Sequence, residues 1–78
     1  MNKWYKLGKE FKGYFEGERE LNEFLRNNGM NFEPYSFEDF TEENYKFLCK
    51  YVGINPVKDN FNYDRGDKRY CFIWGFNS

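Results

Sequence analysis

The chain has 78 residues and a net charge of −1, with ten Phe, seven Tyr and two Trp but no Ala, His or Gln. A domain of this length buries only somewhat more than about 60% of its unfolded surface, so its core is thin, and rings that each bury roughly 150–250 Å² have to fill much of it. The absence of His removes the commonest general base and metal ligand, no apolar run approaches the roughly 20 residues of a membrane span, and two cysteines are too few for a disulfide scaffold.

The first stretch, KWYKLGKEFKGYFEG, is open to two readings. Trp4, Leu7, Phe11, Tyr14 and Phe15 fit a helical stripe with Lys3, Lys6 and Lys12 opposite. Gly8, Gly13 and Gly17 would each cost such a helix about 1 kcal/mol, and aromatic content favours strands. Gly8-Lys9 also suits a two-residue hairpin turn, so the expectation is a hairpin over 3–7 and 10–15.

GERELNEFLRNNG predicts a helix over 18–28, with glutamates at its positive end, the stripe Leu21, Phe24 and Leu25, and Gly29 as a left-handed stop. MNFEPYSF alternates and reads as a short strand, confined to an edge by Pro34. SFEDFTEENYKFLCKYVGINP predicts the second helix. Thr41 or Ser36 caps it, Tyr45, Leu48, Cys49 and Val52 form its core stripe, and Gly53 and Pro56 end it.

The C-terminal part, 57–63 and 68–76, reads as a hairpin closed by a loop from Asp64 to Asp67. Alternation places Phe61, Tyr63, Tyr70, Phe72 and Trp74 on one face, expected to be core. The fold class that follows is α+β: two helices packed on one face of a small, mainly antiparallel sheet, in the order β-β-α-β-α-β-β, as a single domain over residues 1–78.

Catalytic parts are scarce. Cys49 lies on a core stripe, where a thiol is inert packing, and the chain has no Cys-x-x-Cys pair, phosphate loop or dinucleotide fingerprint. Arg65-Gly66-Asp67 matches an adhesion tripeptide, but glycine between polar residues is ordinary turn chemistry. The expectation is a protein without enzymatic activity, cofactor or metal.

Charge is distributed in blocks. Residues 1–15 carry four Lys and one Glu, residues 16–43 carry nine acids and two Arg, and residues 44–78 carry six bases and three Asp. Within the acidic block, Tyr35, Phe37 and Phe40 interleave with Glu33, Glu38, Asp39, Glu42 and Glu43. Aromatics in an acidic field combine apolar burial with steering, which predicts contact with a protein bearing a basic surface. The alternative is single-stranded nucleic acid, stacked on Tyr63 and Tyr70 of the C-terminal hairpin beside Arg65, Lys68 and Arg69.

Phe, Tyr, Asn and Lys, all with AT-rich codons, make up nearly half the chain and point to a low-GC genome. The N-terminal MNKWYKLGKEF lacks the apolar segment of a secretory signal, so the expected location is the cytoplasm, with Cys49 and Cys71 reduced. In type, a small acidic-patch protein without catalytic residues resembles phage-encoded inhibitors of host defence, of the anti-CRISPR or anti-restriction kind. No motif or residue role is carried over from that resemblance. The function it implies is inhibition of a host protein that handles nucleic acid.

Overall fold

In the computed structural model, residues 2–30, 39–64 and 67–78 are described. They form four helices: α1 (Lys3–Phe11), α2 (Glu18–Asn27), α3 (Glu42–Val52) and α4 (Asp67–Asn77). There is no strand among the described residues. The expected sheet and the β-β-α-β-α-β-β order are therefore replaced by an all-helical arrangement. The strand expected around Pro34 and the loop tip at Arg65-Gly66 lie outside the described residues.

α2 and α3 form for the reasons written in the sequence. The Thr41 hydroxyl accepts the Asn44 N–H at 3.1 Å at the start of α3. Both helices stop at a left-handed glycine, Gly29 at φ +83° and Gly53 at φ +79°. At each stop the following apolar residue reaches back. The Met30 N–H donates to the Leu25 carbonyl and the Ile54 N–H to the Cys49 carbonyl, at 2.7 and 3.0 Å. This is the Schellman closure of a helix end.

α1 is a helix where a hairpin was expected. Its start is fully satisfied: Asn2 Oδ1 accepts the N–H groups of Trp4 and Tyr5, and Asp59 Oδ2 accepts that of Lys3. Gly8 makes no turn. It lies against α4, where a Cβ would stand 2.0 Å from the Phe72 carbonyl oxygen. Gly75 answers from α4, where a Cβ would stand 2.0 Å from the Tyr5 carbonyl oxygen. The two backbones touch at this crossing. The hydrogen in place of each Cβ points at a carbonyl oxygen of the other helix, a weakly favourable contact. The helices run in the same general direction, since Asn2 meets Cys71 near one end and Lys12 meets Ser78 near the other.

α4 overturns the C-terminal hairpin. Its aromatics at 70, 72, 74 and 76 alternate, which is the period of a strand. On a helix, residues two apart lie about 200° apart, so the same alternation separates them into two opposite faces. Phe72 and Phe76 point into the core, while Tyr70 and Trp74 point out. The expected common face of Phe61, Tyr63, Tyr70, Phe72 and Trp74 does not form.

The core is aromatic at its centre. Trp4 is edge-on to Phe40 and Tyr45, both at 5.3 Å between ring centres, and to Phe72 at 6.2 Å. Around Phe11 a second cluster gathers Phe15 and Tyr51, stacked on it at 5.9 Å, with Phe24 at 6.0 Å. No described helix is long and apolar enough to cross a membrane.

Candidate functional site

Tyr70 and Trp74 stand one turn apart on the outer side of α4, 67% and 69% exposed. Packing on the other side of the helix fixes their direction. Gly75 is pressed on α1, and Phe72 and Phe76 are buried, so no rotation of α4 could hide its outer aromatics without exposing the inner pair.

The flanks of this ridge differ. Toward α1, the Trp74 ring meets Tyr5 edge-on at 5.5 Å, and Lys9 Nζ lies 5.8 Å from the centre of the Tyr5 ring. Toward α2, a small hollow of about 160 Å³ is lined by Glu18, Arg69, Tyr70 and Ile73. Glu18 also accepts a hydrogen bond from Asn77 Nδ2 at 3.0 Å. The ridge is thus edged by the exposed Lys9 on one side and on the other by the exposed Glu18 next to the buried Arg69, whose guanidinium lies 5.4 Å from the centre of the Tyr70 ring.

A second region is polar. Tyr63 donates its hydroxyl between Asn2 Oδ1 and Asp59 Oδ2, both at 2.9 Å. Burial works against ionisation of Asp59, but the Lys3 N–H, the Tyr63 hydroxyl and the Lys3 charge outweigh it and hold the carboxyl below its usual range. Burial and the neighbouring Asp59 raise the Tyr63 hydroxyl. These bonds fasten the irregular segment 59–64 to the start of α1. They hold the Tyr63 hydroxyl in the fold, while its half-buried ring meets Phe61 at 4.9 Å between ring centres.

Lys3 is the third notable group. Its side chain is 8% exposed, its ammonium pairs with both Glu42 oxygens at 2.7 and 2.8 Å, and it lies 4.3 Å from the centre of the Tyr45 ring. Beside it runs a groove of about 220 Å³ between α1 and the segment after α3, lined among others by Lys6, Glu10, Ile54 and Val57. Burial pushes the Tyr45 hydroxyl up to about 12, with the Val57 N–H pulling it down. Burial also pushes the Cys49 thiol up, against the Tyr45 hydrogen bond and the Lys3 charge. A thiol held in that form is a poor nucleophile.

The chain matches no known family model, no curated protein and no solved structure.

The expected acidic contact residues are dispersed by the fold. Phe40 is buried against Trp4, and Glu42 is bound to Lys3. Asp39 is partly exposed and its carbonyl accepts from Asn44, while Glu43 is exposed. Glu33, Tyr35, Phe37 and Glu38 lie outside the described residues. Of the residues expected to hold nucleic acid, Arg65 lies outside the described residues, Arg69 is buried, Lys68 is partly exposed and Tyr70 alone is well exposed. Cys49 and Cys71 are both free thiols. Among the described residues, no group of three or more Cys, Asp and Glu is placed to hold a metal ion.

Sequence reasoning missed Trp74 as a surface residue, Tyr5 as its neighbour, Lys9 beside Tyr5, and Glu18 beside Tyr70. One signal was available: reading 67–77 at 3.6 residues per turn splits its aromatics into two pairs.

Proposed function

We propose that this chain is a non-enzymatic protein-binding module and that the outer face of α4 is its contact surface. The observation that carries the reading is the exposure of Tyr70 and Trp74 on a helix whose opposite face is already core. An amphipathic helix needs only one apolar side to fold, so a second apolar side answers to something outside the fold. Trp and Tyr are the residues most enriched among those that dominate binding energy at interfaces.

The narrower role, inhibition of a host protein that handles nucleic acid, is supported by composition and by the resemblance in type. A basic partner of the kind the acidic block suggests would meet Glu43 and the exposed carboxylates of α2, including Glu20 and Glu23.

Affinity capture with the tagged chain and with Y70S/W74S, each with and without nuclease, tests the reading. A protein captured by the parent chain, lost with the double variant and indifferent to nuclease is the expected result. Capture abolished by nuclease would instead assign the two rings to base stacking. Capture unchanged in Y70S/W74S would remove α4 from the contact.

A further inference from the structure

The exposed charges named on the two flanks of the α4 ridge are opposite in sign, the Arg69 guanidinium on the α2 side being buried against the Tyr70 ring, and this makes the surface complementary to itself. Lys9 edges the ridge through Tyr5 on the α1 side, and Glu18 edges it beside Tyr70 on the α2 side. Both are exposed, and neither is in an ion pair among the described residues. A wholly acidic or wholly basic partner laid on the ridge would be attracted by one flank and repelled by the other. Single-stranded nucleic acid meets the same conflict, because the exposed Glu18 stands at the hollow beside Tyr70.

We propose that the outer face of α4 is where two copies of this chain meet, with Lys9 of each copy opposite Glu18 of the other. The inference rests on the reading of that face as a protein contact and names its partner. Two-fold symmetry allows a ridge to meet its copy in two ways. With the axis across the ridge, the helices run antiparallel, and Lys9 faces Lys9 while Glu18 faces Glu18. With the axis along the ridge, the helices run parallel and each flank meets its opposite. Charge selects the second arrangement, in which Tyr70 and Trp74 of the two copies form one aromatic seam. The ridge is short, at ~16 Å for the whole of α4, so the contact lies at the small end of specific interfaces and the dimer is in reversible exchange with monomer.

Sedimentation velocity of the intact chain over a range of concentrations tests this. The expected result is a monomer–dimer equilibrium that weakens with salt and is lost in Y70S/W74S. K9E and E18K should each bind themselves about tenfold more weakly, because either reversal turns two attractive pairs into repulsive ones. An equimolar mixture of K9E and E18K should recover the parent affinity, since in the mixed dimer one pair forms as in the parent and the other re-forms with reversed sign. A folding defect in either variant could not produce that recovery. A chain that stays monomeric at millimolar concentration overturns the proposal, as does a mixture no tighter than its components.

Acrylamide quenching separates this failure from failure of the underlying reading. In a monomer, Trp4 is buried and Trp74 open, so a quenchable fraction that disappears in W74F keeps the face as a site for a different protein. A Trp74 shielded in the monomer overturns both.

Discussion

Lys3 reaches into the fold, and Glu42 is the partner that meets it there. The ammonium is nearly sealed from water, paired with both Glu42 oxygens and set over the Tyr45 ring, while Glu42 itself is 56% exposed. Losing the partner of a fully buried charge costs about 3–5 kcal/mol, and an exposed pair is worth about 0–1. This pair lies between, so Glu42→Gln should cost about 1–2 kcal/mol in a urea titration. Glu42→Lys should cost more, because it sets one ammonium against another, whereas Glu43→Lys should stay within about 0.5 kcal/mol. That contrast departs from the sequence expectation, in which Glu42 and Glu43 were both contact residues for a basic partner. Equal effects at 42 and 43 would mean that the Lys3 pair contributes nothing. The two tryptophans diverge in the same way. Trp4→Ala empties the centre of the aromatic core and should cost about 3–5 kcal/mol. Trp74, expected as core when 68–76 was read as a strand, touches only Tyr5 among the described ring contacts, and Trp74→Ala should cost about 0.5–1 kcal/mol. A loss at Trp74 as large as at Trp4 would show that its ring is buried in solution.

Among the elements, α1 and α4 depend on each other at a single crossing. Gly8 and Gly75 are both inside helices, where alanine is ordinarily better by about 1 kcal/mol. Here the atoms in the way are main-chain carbonyls of the other helix, which cannot rotate aside as a side chain can. Overpacking costs about 1–3 kcal/mol, and a main-chain obstacle places Gly8→Ala and Gly75→Ala near or above the top of that range. Gly13 is the control: a Cβ there would come no nearer than 3.9 Å to the Glu10 carbonyl oxygen, so Gly13→Ala should be neutral or slightly stabilising. Thermal melting of the three variants reads the difference, and a stabilised Gly8→Ala would refute the close crossing. The same two residues explain why half of the fold was hidden in the sequence. α2 and α3 carry acidic first turns, apolar stripes and glycine stops, and α3 a threonine cap, all of them local signals. α1 carries a glycine that looks like a turn until its partner 67 positions away is known. α4 carries a period-two run whose helical meaning depends on having both a core side and an outer side. The candidate site was hidden with it, because a strand reading put Tyr70, Phe72 and Trp74 on one face and a helix parts them.

The whole molecule has two pH limits set by groups that fasten its irregular segment to its helices. Asp59 caps α1 and holds Tyr63, and its carboxyl sits below the ordinary value because the Lys3 N–H, the Tyr63 hydroxyl and the Lys3 charge outweigh its burial. It therefore ionises more readily folded than unfolded. Its contribution is present above the ordinary aspartate value of about 4 and is lost as pH falls through the lower folded value. Tyr45 behaves in the opposite sense. Burial pushes its hydroxyl up to about 12, so the folded chain holds that proton more tightly than the unfolded one. Its contribution is complete below the ordinary tyrosine value of about 10 and is lost as pH climbs through the folded value. Tyr63, raised by burial and by Asp59, acts in the same direction. The urea midpoint should be flat through neutral pH, fall below about pH 4 and fall again above about pH 10. Asp59→Asn keeps an oxygen for the Lys3 N–H but has no charge to gain or lose. It should lower stability at neutral pH and flatten the acid limb. Tyr45→Phe should make the alkaline limb shallower, and adding Tyr63→Phe should make it shallower still. An acid limb as steep in Asp59→Asn as in the parent chain would assign the lower limit to other carboxylates, and the cap on α1 would be one hydrogen bond among many rather than the point where acid first opens the fold.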